Sequence, residues 1–279
     1  MKQCRSFGWG VFCLLGISLA GFASPLEVFV SLPPMAEAVE AIGGQRVSVK
    51  VLLPAGASPE TYQPDARTLE ALGRSQVLFT MGAPFEETLL PRLRRAFPEV
   101  RLAAGAEGME RRNFPQGGED PHVWLSVANM LRYADNVCQT LVRMVPEAAE
   151  EFQASHQEYR EQLEETGRFL AERLAPLKGR SVLVYHPAFG YFLGQYGITQ
   201  IAIEEEGKEP SGRALTEALA QARKLGLPAI FVQPQFSPRS AKVLAQELKA
   251  QVIPLDPLPA RLSPGLRAMG EAIAKAYCP

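Results

Sequence analysis

Residues 146–177 read PEAAEEFQASHQEYREQLEETGRFLAERLAPL, a charged amphipathic stretch that decides the architecture. At 1.5 Å per residue it makes one rod of about 45 Å. On either side of it, strand and helix patterns alternate. LEVFVS (26–31), VSVKVLL (47–53), QVLFTMG (76–82) and VRLAA (100–104) read as strands, with helical periodicity at 33–42, 66–73, 84–96 and about 126–145. Beyond the rod come SVLVYH (181–186), ITQIAIE (198–204), AIFVQ (229–233) and QVIPL (251–255), with helices near 188–195, 211–225, 237–248 and 264–276. Strands that alternate with helices build parallel, crossover-connected sheets. The expected fold is α/β: two lobes, each a parallel sheet flanked by helices, joined by a long backbone helix. The boundaries fall at 1–23 for a leader, 24–145 for the first lobe, 146–178 for the linking helix and 179–279 for the second lobe. No close internal repeat is visible in the sequence.

Lys2 and Arg5 precede the apolar run GWGVFCLLGISLAGFA, which ends in small residues and has the layout of a secretory signal, with Gly21 and Ala23 suited to cleavage after Ala23. Cys13 sits inside that run and not behind small residues at its end, so the expected product is periplasmic, released from its signal and not lipid-anchored. Removing the leader takes Cys4 and Cys13 with it and leaves Cys138 and Cys278. In an oxidising compartment those two are a disulfide candidate. No later segment is apolar enough to span a bilayer. A formal net charge of −1, from 29 basic and 30 acidic residues, gives no electrostatic case for nucleic acid or an anionic membrane. The expected partner is therefore small.

Ligands of open α/β sheets bind outside the carboxyl ends of the strands. Four residues able to ligate a metal stand at such places: Glu60 in the loop after the second strand, His122 in EDPHVWLS (119–126), His186 at the end of SVLVYH, and Asp256 after VIPL. The chain has only 3 histidines, and the third, His156, lies in the rod and reads as a solvated helix residue. Two imidazoles and two carboxylates, a pair from each lobe, suit one divalent metal ion held in the cleft between the lobes. Pro59, Pro121, Pro187 and Pro257 each flank one of the four and restrict its backbone. Because the carboxylates match a 2+ charge, manganese or iron are alternatives to zinc, although zinc stands above manganese in the general affinity order.

GASPETYQP (56–64), EDPHVWLS, YHPAFGYFLGQYGI (185–198) and PLDPL (254–258) together resemble the metal-specific solute-binding proteins of bacterial zinc and manganese ABC transporters, and EEEGKEPSGRAL (204–215) resembles that family's acidic turn. The resemblance covers essentially the whole chain after the leader. It implies that His122, His186 and Asp256 are ligands, and that Glu60 takes the place of a family histidine. Tyr62, Trp124 and Tyr185 become wall or supporting residues. It implies capture of zinc, with manganese as the alternative, delivery to an inner-membrane ABC permease, a monomeric protein and no catalysis. Zinc-specific members often carry a His-rich loop before the second motif, and AEGMERRNFPQGGED (106–120) has no histidine. A secreted zinc hydrolase would use the same residue types, with Glu60 as general base, but the chain has neither a His-Glu-x-x-His helix nor a Gly-x-Ser-x-Gly elbow. A surface adhesin with a structural metal is the third class.

Overall fold

The structure is a computed structural model describing residues 24–115, 117–204, 212–236 and 244–277, with backbone alone at 212–214. The leader and Cys278 lie outside the described residues, as does most of the helix expected over 237–248.

The first lobe runs β1 (Leu26–Val30), α1 (Pro33–Gly43), β2 (Val47–Val51), α2 (Ala66–Gly73), β3 (Val77–Thr80), α3 (Pro84–Ala96) and β4 (Arg101–Ala104), followed by α4 (Val127–Met144). All pairings are parallel and the strand order is β2-β1-β3-β4. The second lobe runs β5 (Ser181–Val184), α6 (Gly190–Gly194), β6 (Thr199–Ala202), α7 (Gly212–Leu225), β7 (Ala229–Val232), β8 (Gln251–Pro254) and α8 (Leu262–Tyr277), with order β6-β5-β7-β8. Both sheets thus place their first strand inside, between the second and third. The two lobes share one topology although their sequences show no repeat.

The central rod is α5 (Ala149–Leu174), 26 residues, with a single 3-10 turn at each end, Pro146–Ala148 and Ala175–Leu177. Its apolar face is continuous: Phe152, Tyr159, Leu163, Leu170 and Leu174 are buried, while the glutamates point outward. This face joins the cores of both lobes into one hydrophobic cluster, and a smaller second cluster lies between the second sheet and α7. His156 is half-buried and paired, not a freely solvated residue. Its Nε2 lies 3.0 Å from Asp135 Oδ1 on α4, and Arg160 Nη1 reaches the same oxygen at 2.8 Å. The helix packing that buries the rod brings α4's carboxylate to it, which periodicity within one helix does not reveal.

Helix α8 belongs to the second lobe by sequence yet starts against the first. Glu37 of α1 is 2% exposed, and its Oε1 accepts from both Ser263 N (3.1 Å) and Ser263 Oγ (2.6 Å) at the start of α8. A carboxylate there satisfies amide groups that no helical carbonyl reaches. Cys138 is buried, with Sγ 3.8 Å from Phe152 O, and carries no disulfide among the described residues. None of the described helices is long and apolar enough to cross a membrane.

Candidate metal centre

In the second sheet, β5 lies between β6 and β7, and the pairing of Val184 with Ala202 and with Phe231 sets the alignment of the three strand ends. Two residues further along, in step, His186 stands between Glu204 and Gln233. The contacts obey that register. His186 Nδ1 lies 2.5 Å from Glu204 Oε2, His186 N donates to Gln233 Oε1 at 3.3 Å, and Gln233 Nε2 donates to His186 O at 2.8 Å. The imidazole is therefore held by its backbone on one side and its ring on the other, with Nε2 left to face the cleft. Phe236 stacks on the ring, with centroids 5.2 Å apart and planes 27° apart.

His122 is fixed from its own chain. Asp120, two residues earlier, accepts from His122 N (3.1 Å) and faces Nδ1 (2.8 Å) with the same Oδ1. The segment is then anchored downstream. Ser126 caps α4, Asn129 Nδ2 donates to Val123 O at 3.1 Å, and Trp124 Nε1 crosses to the second lobe to donate to Pro257 O at 2.7 Å. Because Asp120 and Glu204 each occupy an Nδ1, both histidines present Nε2 inward, the arrangement that orients metal-ligating imidazoles. Arg112 reaches across from the loop before Asp120. Its Nη1 donates to Gly190 O, its backbone N donates to Tyr191 Oη at 2.9 Å, and its Nε lies 3.5 Å from Asp120 Oδ2. A side chain at Gly190 would meet Arg112 Cζ and Asp120 Oδ2, each at 2.9 Å, so glycine at the start of α6 is what admits this approach.

Glu60 sits in the loop after β2. Ser58 Oγ donates to Glu60 Oε2, and the loop is tied to the start of α3 by Phe85 N donating to Pro59 O at 3.1 Å. The free oxygen, Oε1, is 3.5 Å from His186 Nε2 and 3.9 Å from His122 Nε2, and the two Nε2 atoms are 3.3 Å apart. These separations define a triangle whose equidistant point lies about 2.1 Å from each atom, the length of a zinc bond to imidazole nitrogen or carboxylate oxygen. Glu60, His122 and His186 form the only cluster of metal-capable side chains among the described residues.

The cavity they border is also lined by Ser58, Trp124, Gln233, Gln235, Phe236 and Leu258, and its free volume is about 10 Å³. That holds about one water or one small ion. A wider pocket of about 320 Å³ touches the same three residues beside Pro84, Phe114, Glu119 and Pro121, and gives them a route to solvent.

The ionisable groups of the cluster shift one another. Burial pushes the His186 pKa down, but Glu204 and Glu60 outweigh it and raise the ring to about 9. Burial likewise pushes Glu60 up, but hydrogen bonds from His186 and Ser58 outweigh it and hold the carboxyl at about 2. In the ion-free protein His186 is therefore a cation facing an anionic Glu60.

The structure gathers three of the four expected ligands. Asp256 stands outside the cluster: its Oδ1 accepts from Gln235 Nε2 at 3.1 Å and from Leu258 N at 3.0 Å. Trp124 lines the cavity, as expected of a wall residue. Tyr185 stands behind, tilted on Phe236 at 5.6 Å, and Tyr62 packs edge-on against Phe85 at 5.4 Å, away from the cavity. Asp120, Gln233 and Gln235 were not singled out from the sequence, and Glu204 entered only as the first residue of the acidic turn EEEGKEPSGRAL. The Asp-x-His spacing held the signal for Asp120, and the acidic residue ending the apolar run ITQIAIE held it for Glu204.

Known proteins share this arrangement of lobes. Residues 28–276 match the family described as ZnuA, zinc-uptake complex component A, periplasmic. A manganese-binding lipoprotein, MntA, of Halalkalibacterium halodurans is 26% identical over 213 residues, 75% of this chain and 71% of the relative. The zinc-binding protein AdcA of Streptococcus pyogenes is 25% identical over 260 residues and covers 84% of this chain, which spans only 50% of that relative's length. Among solved structures, a crystal structure of ZnuA superposes with a TM-score of 0.86 at 33% identity, over 90% of this chain and 98% of the other. The periplasmic zinc-binding protein TroA from Treponema pallidum has the same fold, with a TM-score of 0.83 at 21% identity over 90% and 99%. Matched over nearly all its described length, the chain belongs to the ZnuA family of periplasmic zinc-uptake components.

Proposed function

We propose that the protein captures one divalent transition metal ion, zinc first, on Glu60, His122 and His186, and hands it to an inner-membrane ABC permease. The observation that carries this reading is the triangle of Oε1 and two Nε2 atoms with a common point about 2.1 Å away, inside a cavity of one-ion size. The family consists of metal-uptake proteins and not of enzymes. The zinc- and manganese-binding relatives support a first-row metal as cargo. Three protein ligands of two nitrogens and one carboxylate favour zinc, which accepts four-coordination with water as the fourth group. A periplasmic, monomeric protein released from its leader fits this role.

Capture must expel a proton. The ion needs a neutral imidazole, and His186 carries a proton up to about pH 9 when the site is empty of metal. The ion would take the place of that proton between His186 Nε2 and Glu60 Oε1. The test is titration of the purified protein with zinc against a chelating dye. One ion per chain is expected, with capture lost in both His122→Ala and His186→Ala. Unchanged affinity and stoichiometry in those two variants would remove the site.

A further inference from the structure

Two glutamines of the loop after β7 border the metal cavity, and they differ in what they have left to give. Gln233 spends both ends of its amide on the backbone of His186. Gln235 spends one. Its Nε2 donates to Asp256 Oδ1 at 3.1 Å, and its Oε1 is buried with no hydrogen-bond partner among the described residues. The orientation of that amide follows from chemistry. An ionised carboxylate only accepts, so the nitrogen must face Asp256 and the oxygen must face elsewhere. Asp256 is itself pinned, since the same Oδ1 accepts from Leu258 N two residues on. Pro257 and Leu258 line the cavity, and Asp256 between β8 and them does not.

A buried acceptor without a donor costs about 1–3 kcal/mol, so Gln235 Oε1 is a place where an added donor would be favourable. Three protein ligands leave a tetrahedral ion one open position, filled by water, and a water on a divalent cation is a strongly polarised donor. We propose that Gln235 completes the site: its Oε1 accepts a hydrogen bond from the water on the captured ion. Asp256 then acts on the ion through Gln235, as the residue that orients the amide, and not as a ligand. The inference rests on the reading of Glu60, His122 and His186 as the three ligands.

The experiment is a dye-competition titration of zinc into the full protein and five variants: Gln235→Met, which keeps length and loses the acceptor, Gln235→Leu, Asp256→Asn, the Gln235→Met/Asp256→Asn double, and His122→Ala as control. Both Gln235 variants should bind zinc about 10–100-fold more weakly, the range for outer-shell partners of a metal site. Asp256→Asn should cost about 3–30-fold in the native background and less than about twofold beside Gln235→Met, because its influence passes through the amide. An unchanged thermal midpoint without metal shows that the variants fold, and the cycle comparison holds even if one Gln235 variant is less stable. Gln235 variants within threefold of native affinity, or an Asp256→Asn penalty equal in both backgrounds, would overturn the proposal. If His122→Ala also binds normally, the three-ligand reading fails instead; loss in His122→Ala with silent Gln235 variants sinks the Gln235 proposal alone.

Discussion

Asp120→Asn isolates the charge behind His122 from the geometry it imposes. Asp120 is 0% exposed, and one oxygen holds both the backbone N–H and the Nδ1 of His122. In the asparagine variant the amide oxygen keeps both contacts, so the ring stays in place and only the negative charge leaves. The distance from that oxygen to the ion is about 7 Å, the 2.8 Å contact plus the imidazole and one metal bond. At an effective dielectric of about 20, a unit charge at that range acts on a divalent ion with about 5 kcal/mol. Arg112, 3.5 Å from the second oxygen, already cancels much of it. An amide there also meets Arg112 donor to donor, which limits any gain. What is left is about 1.4–2.7 kcal/mol, or about 10–100-fold in affinity, in keeping with outer-shell carboxylates generally. Zinc titration against a chelating dye at pH 7.5 measures it. A loss below threefold in a variant whose metal-free melting is unchanged would refute the idea that Asp120's charge is felt at the ion.

Glu60→Gln should weaken zinc by at least about tenfold, since the amide keeps the shape and loses the charge, whereas Glu60→His should retain capture and raise zinc relative to manganese; dye competition with both metals reads each. Metal-free stability should track the His186–Glu60 pair. His186 is raised from 6.5 to about 9, so its contribution is complete below pH 6.5 and fades as pH rises through 9; Glu60 is lowered from 4.5 to about 2, so its contribution is complete above pH 4.5 and fades as pH falls toward 2. Melting of the metal-free protein should therefore show this contribution best between pH 4.5 and 6.5, while calorimetry in buffers of different ionisation enthalpy should find about one proton released per zinc near pH 7.5. Proton release near zero would contradict the charge state of His186. Gly105→Ala would put a methyl 2.7 Å from both Thr80 O and the Tyr133 ring, and should destabilise by about 1–3 kcal/mol, seen as a lower melting temperature with zinc stoichiometry unaltered.

The strand sequences announced themselves because their apolar runs are short, bounded and separated by helical periodicity. Each of the eight expected runs contains an observed strand, shorter by a residue or two at its ends. His122 and His186 were legible as rare residues, one in a loop and one at a strand end, each beside a proline. The pairing of His186 with Glu204 and Gln233 was not, since what places those two beside it is the register between neighbouring strands, a property of the assembled sheet. Asp256 shows the reverse limit. Its position in the chain puts it at the right end of the right strand, but a two-residue turn to Leu258 N and the amide of Gln235 decide where its carboxylate points. Such side-chain choices depend on groups distant in sequence. The same holds for His156, whose partner Asp135 is supplied by a different helix.

The contacts between the lobes are not evenly shared among the three ligand-bearing segments. The halves of the molecule are cross-bolted around His122 and His186 by Trp124 to Pro257 and by Arg112 to Gly190 and Tyr191, and elsewhere by Glu37 to Ser263. Swinging the lobes apart as rigid bodies would break all of these together, each worth about 1 kcal/mol net, and would wet the apolar cluster that runs through both halves. The Glu60 loop, by contrast, is tied within its own lobe through Ser58 and the amide of Phe85, and meets the second lobe through the facing charges of Glu60 and His186, 3.5 Å apart. Two walls of the cavity are thus structural and the third is a panel; under the proposed ligand set, a partner that draws the Glu60 panel aside would strip the ion of its only anionic ligand without prying the frame.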